Sequence, residues 1–119
     1  MEDNVEPELQ ITVTREHGAT IVAVAGELDA ASTPDLQRPL TELSSTPDGG
    51  LVLDLSNCQF VDSTGLHVII DARGAVEEHG GRFALCCAEH GPVARVIEVA
   101  LPGMIELHPT REAALQALR

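Results

Sequence analysis

The chain contains no lysine, no tryptophan and no tyrosine, and Phe60 and Phe83 are its only phenyl rings. Its seven basic residues are all arginine, set against 19 Asp and Glu, for a formal net charge of −12. Proteins hold duplex nucleic acid by neutralising phosphates with Lys and Arg, so this balance argues against such a partner. Single strands need aromatic stacking platforms, which are missing too. An anionic membrane surface is disfavoured for the same electrostatic reason. Without lysine there is no Gly-rich phosphate loop ending in Lys-Ser or Lys-Thr, which argues against nucleotide binding. Acidity at this level keeps a protein soluble and favours a partner with a basic face.

No apolar run approaches the length of a membrane span, and the longest, Ala19 to Ala25, has the length of a strand. Residues 1–8, MEDNVEPE, carry four acids and lack the positive start and apolar centre of a secretion signal. They read as an acidic flexible tail ahead of one domain over residues 9–119, and a cytoplasmic protein is expected. A domain of this size buries a core without help from metal or disulfides. The three cysteines, Cys58, Cys86 and Cys87, are odd in number and argue against a disulfide framework. No CxxC spacing recruits His67, His79 or His90 to a zinc site, so small buried residues are the better reading. Cys86 and Cys87 are neighbours on an expected strand and should point to opposite faces, which makes the outward one a candidate for redox sensitivity.

What is present is a regular alternation of strand and helix signals. Leu9, Ile11 and Val13 alternate with Gln10, Thr12 and Thr14, the period of a half-buried strand. His17-Gly18 is turn chemistry, and Ala19 to Gly26 is a more continuous apolar run, so an antiparallel hairpin is predicted. Ser32-Thr33-Pro34-Asp35 signals a helix start and would carry Leu36, Leu40 and Leu43 inward. Pro39 inside that helix should kink it or make its first turn irregular. Pro47-Asp48-Gly49-Gly50 closes the element as a turn. Leu51 to Leu55 reads as a buried central strand, with Phe60-Val61 as a short extension. A second helix follows, with Leu66, Ile69, Ile70, Arg73 and Val76 at helical spacing, and Gly80-Gly81 stops it. Arg82 to Cys87 is the next strand. A helix starting near Pro92 carries Val93, Val96, Ile97 and Ala100 on one face and breaks at Pro102-Gly103. Met104 to Leu107 is the expected last strand, and Thr110-Arg111-Glu112 opens a last helix with Leu115 and Leu118 inward. The order ββαβαβαβα implies a mostly parallel sheet with right-handed crossovers and helices on at least one face.

The most informative segment runs from Asn57 to Leu66 and contains Phe60-Val61-Asp62-Ser63-Thr64-Gly65-Leu66. On local physics it is a strand followed by a capped helix, with Ser63 as the N-cap. Gly65 would let another surface approach the backbone closely.

Gly26-Glu27-Leu28-Asp29, Leu53-Asp54-Leu55, the Asp62 to Leu66 motif and Gly80-Gly81 together resemble the STAS family, and look most like its single-domain antagonists of anti-sigma factors. The resemblance extends from about Leu9 to Leu118. It implies an α/β, STAS-like sandwich: a mixed, mostly parallel sheet with an N-terminal hairpin and about four helices. In that family the serine after the Asp is the phosphoacceptor, and the matching position here is Ser63. Thr64 matches a second hydroxyl, and Asp29 matches the Asp at the end of the second strand. The implied partner-binding set is Asp29, Asp62, Ser63, Thr64, Gly65 and Leu66. The unmodified protein would bind an anti-sigma factor that is also a serine kinase, freeing the sigma factor. Phosphorylation of Ser63 would release the complex, and a serine phosphatase would reset it. A monomer without cofactor, metal or catalytic residue of its own is expected. A phosphate adds about −1.5 to −2 charges, which free amides at a helix start would tolerate and an interface built for a hydroxyl would not. Asp29 and Asp62 would sharpen the repulsion.

Two further readings stand beside this one. Ser63 with Asp62 and His67 invites a hydrolase, but the Gly-x-Ser-x-Gly elbow is absent and Asp62 adjoins the serine in sequence. Alternatively, the same fold serves as a non-switching STAS subunit of a stress-signalling or lipid-transport complex.

Overall fold

A computed structural model describes residues 9–44 and 49–119; the acidic tail over 1–8 and part of the Pro47 to Gly50 turn lie outside the described residues. Its elements run β1 (Leu9–Glu16), β2 (Ala19–Leu28), α1 (Thr33–Ser44), β3 (Leu51–Val61), α2 (Ser63–Glu78), β4 (Phe83–Cys86), α3 (Pro92–Ala100), β5 (Leu107–His108) and α4 (Arg111–Ala117). The predicted order ββαβαβαβα is the observed one.

The five strands lie in the sheet in sequence order, β1 antiparallel to β2 and every later pair parallel. The hairpin closes through His17 and Gly18, at φ 52° and 80°. Positive φ at both central residues matches the twist of the flanking strands. Parallel strands that step one place at a time, with right-handed crossovers, put their connecting helices on one face. Accordingly Leu36 and Leu40 of α1, Val68, Ile69 and Val76 of α2, and Val93 and Ile97 of α3 share one core with Val22, Leu53 and Leu85. Among the described residues only α4 packs on the other face, where Ala114 and Leu115 meet Ile21, Val52, Ala84 and Cys86. Covering both faces explains why Leu51 to Leu55 are all buried and the strand does not alternate.

The structure departs from the sequence expectations in several places. Val13 is exposed because β1 is an edge strand with no helix opposite that residue. Pro39 sits inside α1 as expected, but the first turn is regular helix from Thr33; the amide bond Pro39 forgoes is to the carbonyl of Asp35, an exposed residue. The Leu51 strand does not stop at Leu55 but continues to Val61 with two register shifts against β2. The last strand is Leu107–His108 rather than Met104 to Leu107, and Met104 is exposed. On α2 the buried stripe is Gly65, Val68, Ile69, Ala72 and Val76, so the helix is rotated from the expected face, leaving Leu66, Ile70 and Arg73 half-buried.

All three cysteines are free and buried, so neither Cys86 nor Cys87 faces outward: they do point to opposite faces, but both faces are covered. Burial pushes the Cys86 thiol up to about 12, with the Asp54 carboxylate adding to it, and the Cys87 thiol up to about 11. Neither is a reactive thiolate near neutral pH.

A charged cluster ties the chain's ends together. Arg111 donates from Nε to Asp54 Oδ2 and from a terminal nitrogen to Glu16 Oε2, each at 2.8 Å. One guanidinium thus joins α4, the central strand β3 and the edge strand β1.

Candidate functional site

Strands β2 and β3 run parallel and end side by side, so the loops that follow them meet at one end of the sheet. The Asp62 amide donates to the Leu28 carbonyl at 3.0 Å and locks the two exits together. This holds Asp62 in extended conformation, φ −110° and ψ −171°, one residue before α2. Asp62, not Ser63, is therefore the N-cap. Its Oδ1 accepts from the Thr64 amide at 2.9 Å, the Gly65 amide at 3.2 Å and the Thr64 hydroxyl. Its carbonyl accepts from the Leu66 amide at 2.9 Å. The Thr64 hydroxyl above all, joined by the amides of Gly65, Thr64 and Ala30, holds the Asp62 carboxyl below its usual range against the opposing effect of desolvation.

This arrangement separates the two hydroxyls. Thr64 is committed to Asp62. Ser63 is the first residue of α2, exposed, and no described residue hydrogen-bonds its hydroxyl. The sequence suggests free amides in the first turn, but those of Thr64, Gly65 and Leu66 are engaged by Asp62. A phosphate on Ser63 would have to compete with that carboxylate rather than settle into an empty nest.

Asp29 faces its own loop. Its Oδ1 accepts from the amides of Ala31 and Ser32, both at 3.0 Å, and from the Ser32 hydroxyl at 3.1 Å. Its carbonyl accepts from the amide and hydroxyl of Thr33. Asp29 thereby shapes the entry to α1 and remains half-buried. Gly65 is buried, and the surface that approaches it is the chain's own. A Cβ there would stand 2.7 Å from Val61 Cγ2, 3.1 Å from Leu28 Cβ and 3.3 Å from the Leu28 carbonyl oxygen. Leu66 is half-buried against the main core. Of the six partner-binding residues expected from sequence, Ser63 and Thr64 are thus exposed, Asp29, Asp62 and Leu66 partly so, and Gly65 is internal.

The hydrolase reading finds no geometry here. The Nδ1 of His67 lies 3.0 Å from the Ser63 carbonyl oxygen, which only accepts, so Nδ1 carries the proton and is turned to the backbone instead of the hydroxyl. Depressions among the described residues lie elsewhere: an apolar groove of about 260 Å³ between α1 and α2, and a polar cleft of about 420 Å³ beside β4, neither lined by Ser63. Ser63 stands on an open surface, the setting of a contact patch more than of an active site. Among the described residues no group of three or more His, Cys, Asp or Glu is placed to hold a metal, and no helix is long and apolar enough to cross a membrane.

Sequence reasoning missed Phe60. It is 46% exposed, three residues before Ser63, and lies opposite the exposed Glu27 in the β2–β3 register. The available signal was an aromatic directly ahead of the motif in a chain with only two phenyl rings.

Comparison with known proteins matches residues 10–114 to the STAS domain. An anti-sigma F factor antagonist of Paenibacillus polymyxa is 31% identical over 111 residues, covering 92% of each chain. The crystal structure of an anti-sigma factor antagonist from Mycobacterium paratuberculosis superposes with a TM-score of 0.82 at 25% identity, over 93% of this chain and 94% of that one. The Bacillus cell fate determinant SpoIIAA in its phosphorylated form has the same fold, with a TM-score of 0.67 at 17% identity over 92% of this chain and 100% of that one.

Proposed function

The chain belongs to the STAS domain family, and from that premise we propose that it is an anti-sigma factor antagonist switched by phosphorylation of Ser63. In the unmodified state it binds an anti-sigma factor serine kinase through the turn between β3 and α2, and the sigma factor is freed. The observation that carries this reading is the exposed Ser63 hydroxyl, without a hydrogen-bond partner among the described residues and held at the start of α2 by the Asp62 cap while its neighbour Thr64 is tied down.

The kinase supplies ATP and Mg²⁺ in its own site. Ser63 Oγ attacks the γ-phosphorus in line, its proton passes to a kinase base, and ADP leaves. The product carries about −1.5 to −2 charges on a turn that already holds the Asp62 carboxylate. A kinase surface fitted to a neutral hydroxyl then faces like-charge and desolvation costs, and each loss of about 1.4 kcal/mol weakens binding tenfold. Hydrolysis by a serine phosphatase restores the binding form. The protein acts in the cytoplasm as a monomer, with no catalytic, nucleic-acid or membrane role of its own.

The test is affinity capture from lysate of the source cell with wild type, Ser63→Ala and Ser63→Glu as baits, read by mass spectrometry. Ser63→Ala should retain an ATP-binding anti-sigma factor, and Ser63→Glu should lose it. Equal retention by all three baits would reduce Ser63 to a surface residue and favour a constitutive STAS subunit.

A further inference from the structure

Helices α1 to α3 cover one face of the sheet, while α4 lies over β3, β4 and β5 on the other. The register defines what this leaves bare. Gln10 pairs with Ala25 and Thr12 with Ala23, on the same face as Ile21 and Asp54 but towards the β1 edge, and Ala23 and Ala25 stay only half-buried.

Strand β3 adds a second feature to that face. Gly26 pairs with Cys58, but Glu27 pairs with Phe60, so Gln59 is an extra residue. Under strict alternation Phe60 would follow Cys58 into the main core. The bulge turns it to the opposite face, beside Glu27, and lets Val61 pair with Leu28 inside. Bulges re-aim side chains in this way and are common next to functional sites. Here the one re-aimed is a phenyl ring with nearly half its surface in water.

The surroundings are acidic. Segments 19–37 and 49–72, which build this end of the molecule, contain no Arg, while Glu27, Asp29 and Asp62 lie at the strand exits. The Asp62 amide bond to the Leu28 carbonyl makes the bare face continuous with the Ser63 turn.

We propose that Phe60 is the apolar anchor of the anti-sigma factor interface, entering a pocket on the partner ringed by basic residues that face Glu27, Asp29 and Asp62. The inference rests on the antagonist reading and extends its contact surface from the Ser63 turn onto the sheet face around Ala23 and Ala25. An exposed aromatic beside a like-charged rim matches the anatomy of a binding hot spot: a ring that gains by leaving water and charges that steer the encounter.

The test uses the purified anti-sigma factor recovered by the wild-type bait, titrated calorimetrically against the full-length chain. Phe60→Ala should weaken binding by about 30-fold or more, with Phe60→Leu in between. Val99→Ala, which truncates a side chain 77% exposed near the end of α3, should stay within about twofold. Glu27→Gln should slow association at low salt and have little effect at high salt. Phe60→Ala binding within about threefold of wild type, while Ser63→Glu is still released, would overturn the anchor and leave the antagonist reading intact. A wild-type protein that binds no anti-sigma factor would overturn both.

Discussion

Replacing Arg111 with Met tests how α4 is held to the sheet face it covers. The substitution keeps the aliphatic stem and removes the charge from a cluster that joins α4, β3 and β1. It leaves the Asp54 carboxylate, whose side chain is only 8% exposed, with the hydrogen bonds of Ser56, whose amide lies at 2.9 Å, and of Cys86, but without its cationic partner. Removing one partner of a fully buried pair costs about 3–5 kcal/mol, and Arg111, at 37% exposure, places this pair below that range at about 2–3 kcal/mol. The Glu16 pair, exposed on both sides, adds up to about 1 kcal/mol. A loss of about 3 kcal/mol is a large part of the ~5–15 kcal/mol typical of a domain, and corresponds to about 12 °C in Tm for a chain of this length. Urea unfolding followed by far-UV circular dichroism is the assay, since no Trp is present to report by fluorescence.

The pH arm has a definite sign. Burial alone would raise the Asp54 pKa, but hydrogen bonds from Ser56 and Arg111 outweigh it and leave the folded value below the usual one. A depressed folded pKa contributes stability that is present above the unfolded value of about 3.9 and lost as pH falls through the folded value. In Arg111→Met burial acts with less opposition, so the folded Asp54 pKa rises and the charged carboxylate contributes less stability than in wild type. The two stability curves should therefore approach each other as pH falls through the depressed wild-type value. Adding Asp54→Asn to Arg111→Met should recover part of the loss at pH 7. A single variant within about 0.5 kcal/mol of wild type, or a double variant losing the full sum of both singles, would refute this account.

Two further predictions concern the Ser63 turn itself. Asp62→Ala removes the acceptor for the Thr64 and Gly65 amides and should cost about 1 kcal/mol, with faster hydrogen exchange at those two amides, whereas Asp62→Asn should stay within a few tenths. Gly65→Ala should gain up to about 1 kcal/mol in helix propensity but lose more to overpacking against Val61 and Leu28, for a net destabilisation of about 1–2 kcal/mol in urea titration.

The order and type of the elements were legible because they rest on local signals. Continuous apolar runs marked β2 and the first half of β3, His17-Gly18 marked the hairpin, and periodic apolar residues marked the helices. Ser56, Asn57 and Gln59 concealed the second half of β3: they are polar, and the bulges that accommodate them exist only because β2 lies alongside. The capping residue was misread for a related reason. Asp62 and Ser63 are equally good caps in isolation, and the bond from the Asp62 amide to Leu28 decides between them. The Phe60 signal was visible as a residue type, but its direction depended on the extra residue at Gln59.

By itself the sequence determined that this is a ββαβαβαβα domain with an acidic surface and an Asp-Ser-Thr-Gly-Leu turn, because hydrophobic period, turn chemistry and charge are properties of neighbouring residues. Only the tertiary structure decided which hydroxyl is free, which face of α2 is buried, where Phe60 points, and that Arg111 reaches Glu16 across 95 positions of chain. Those outcomes depend on which distant strand exit, helix or carboxylate comes within about 3 Å, and hydrogen bonds and packing act only at that range.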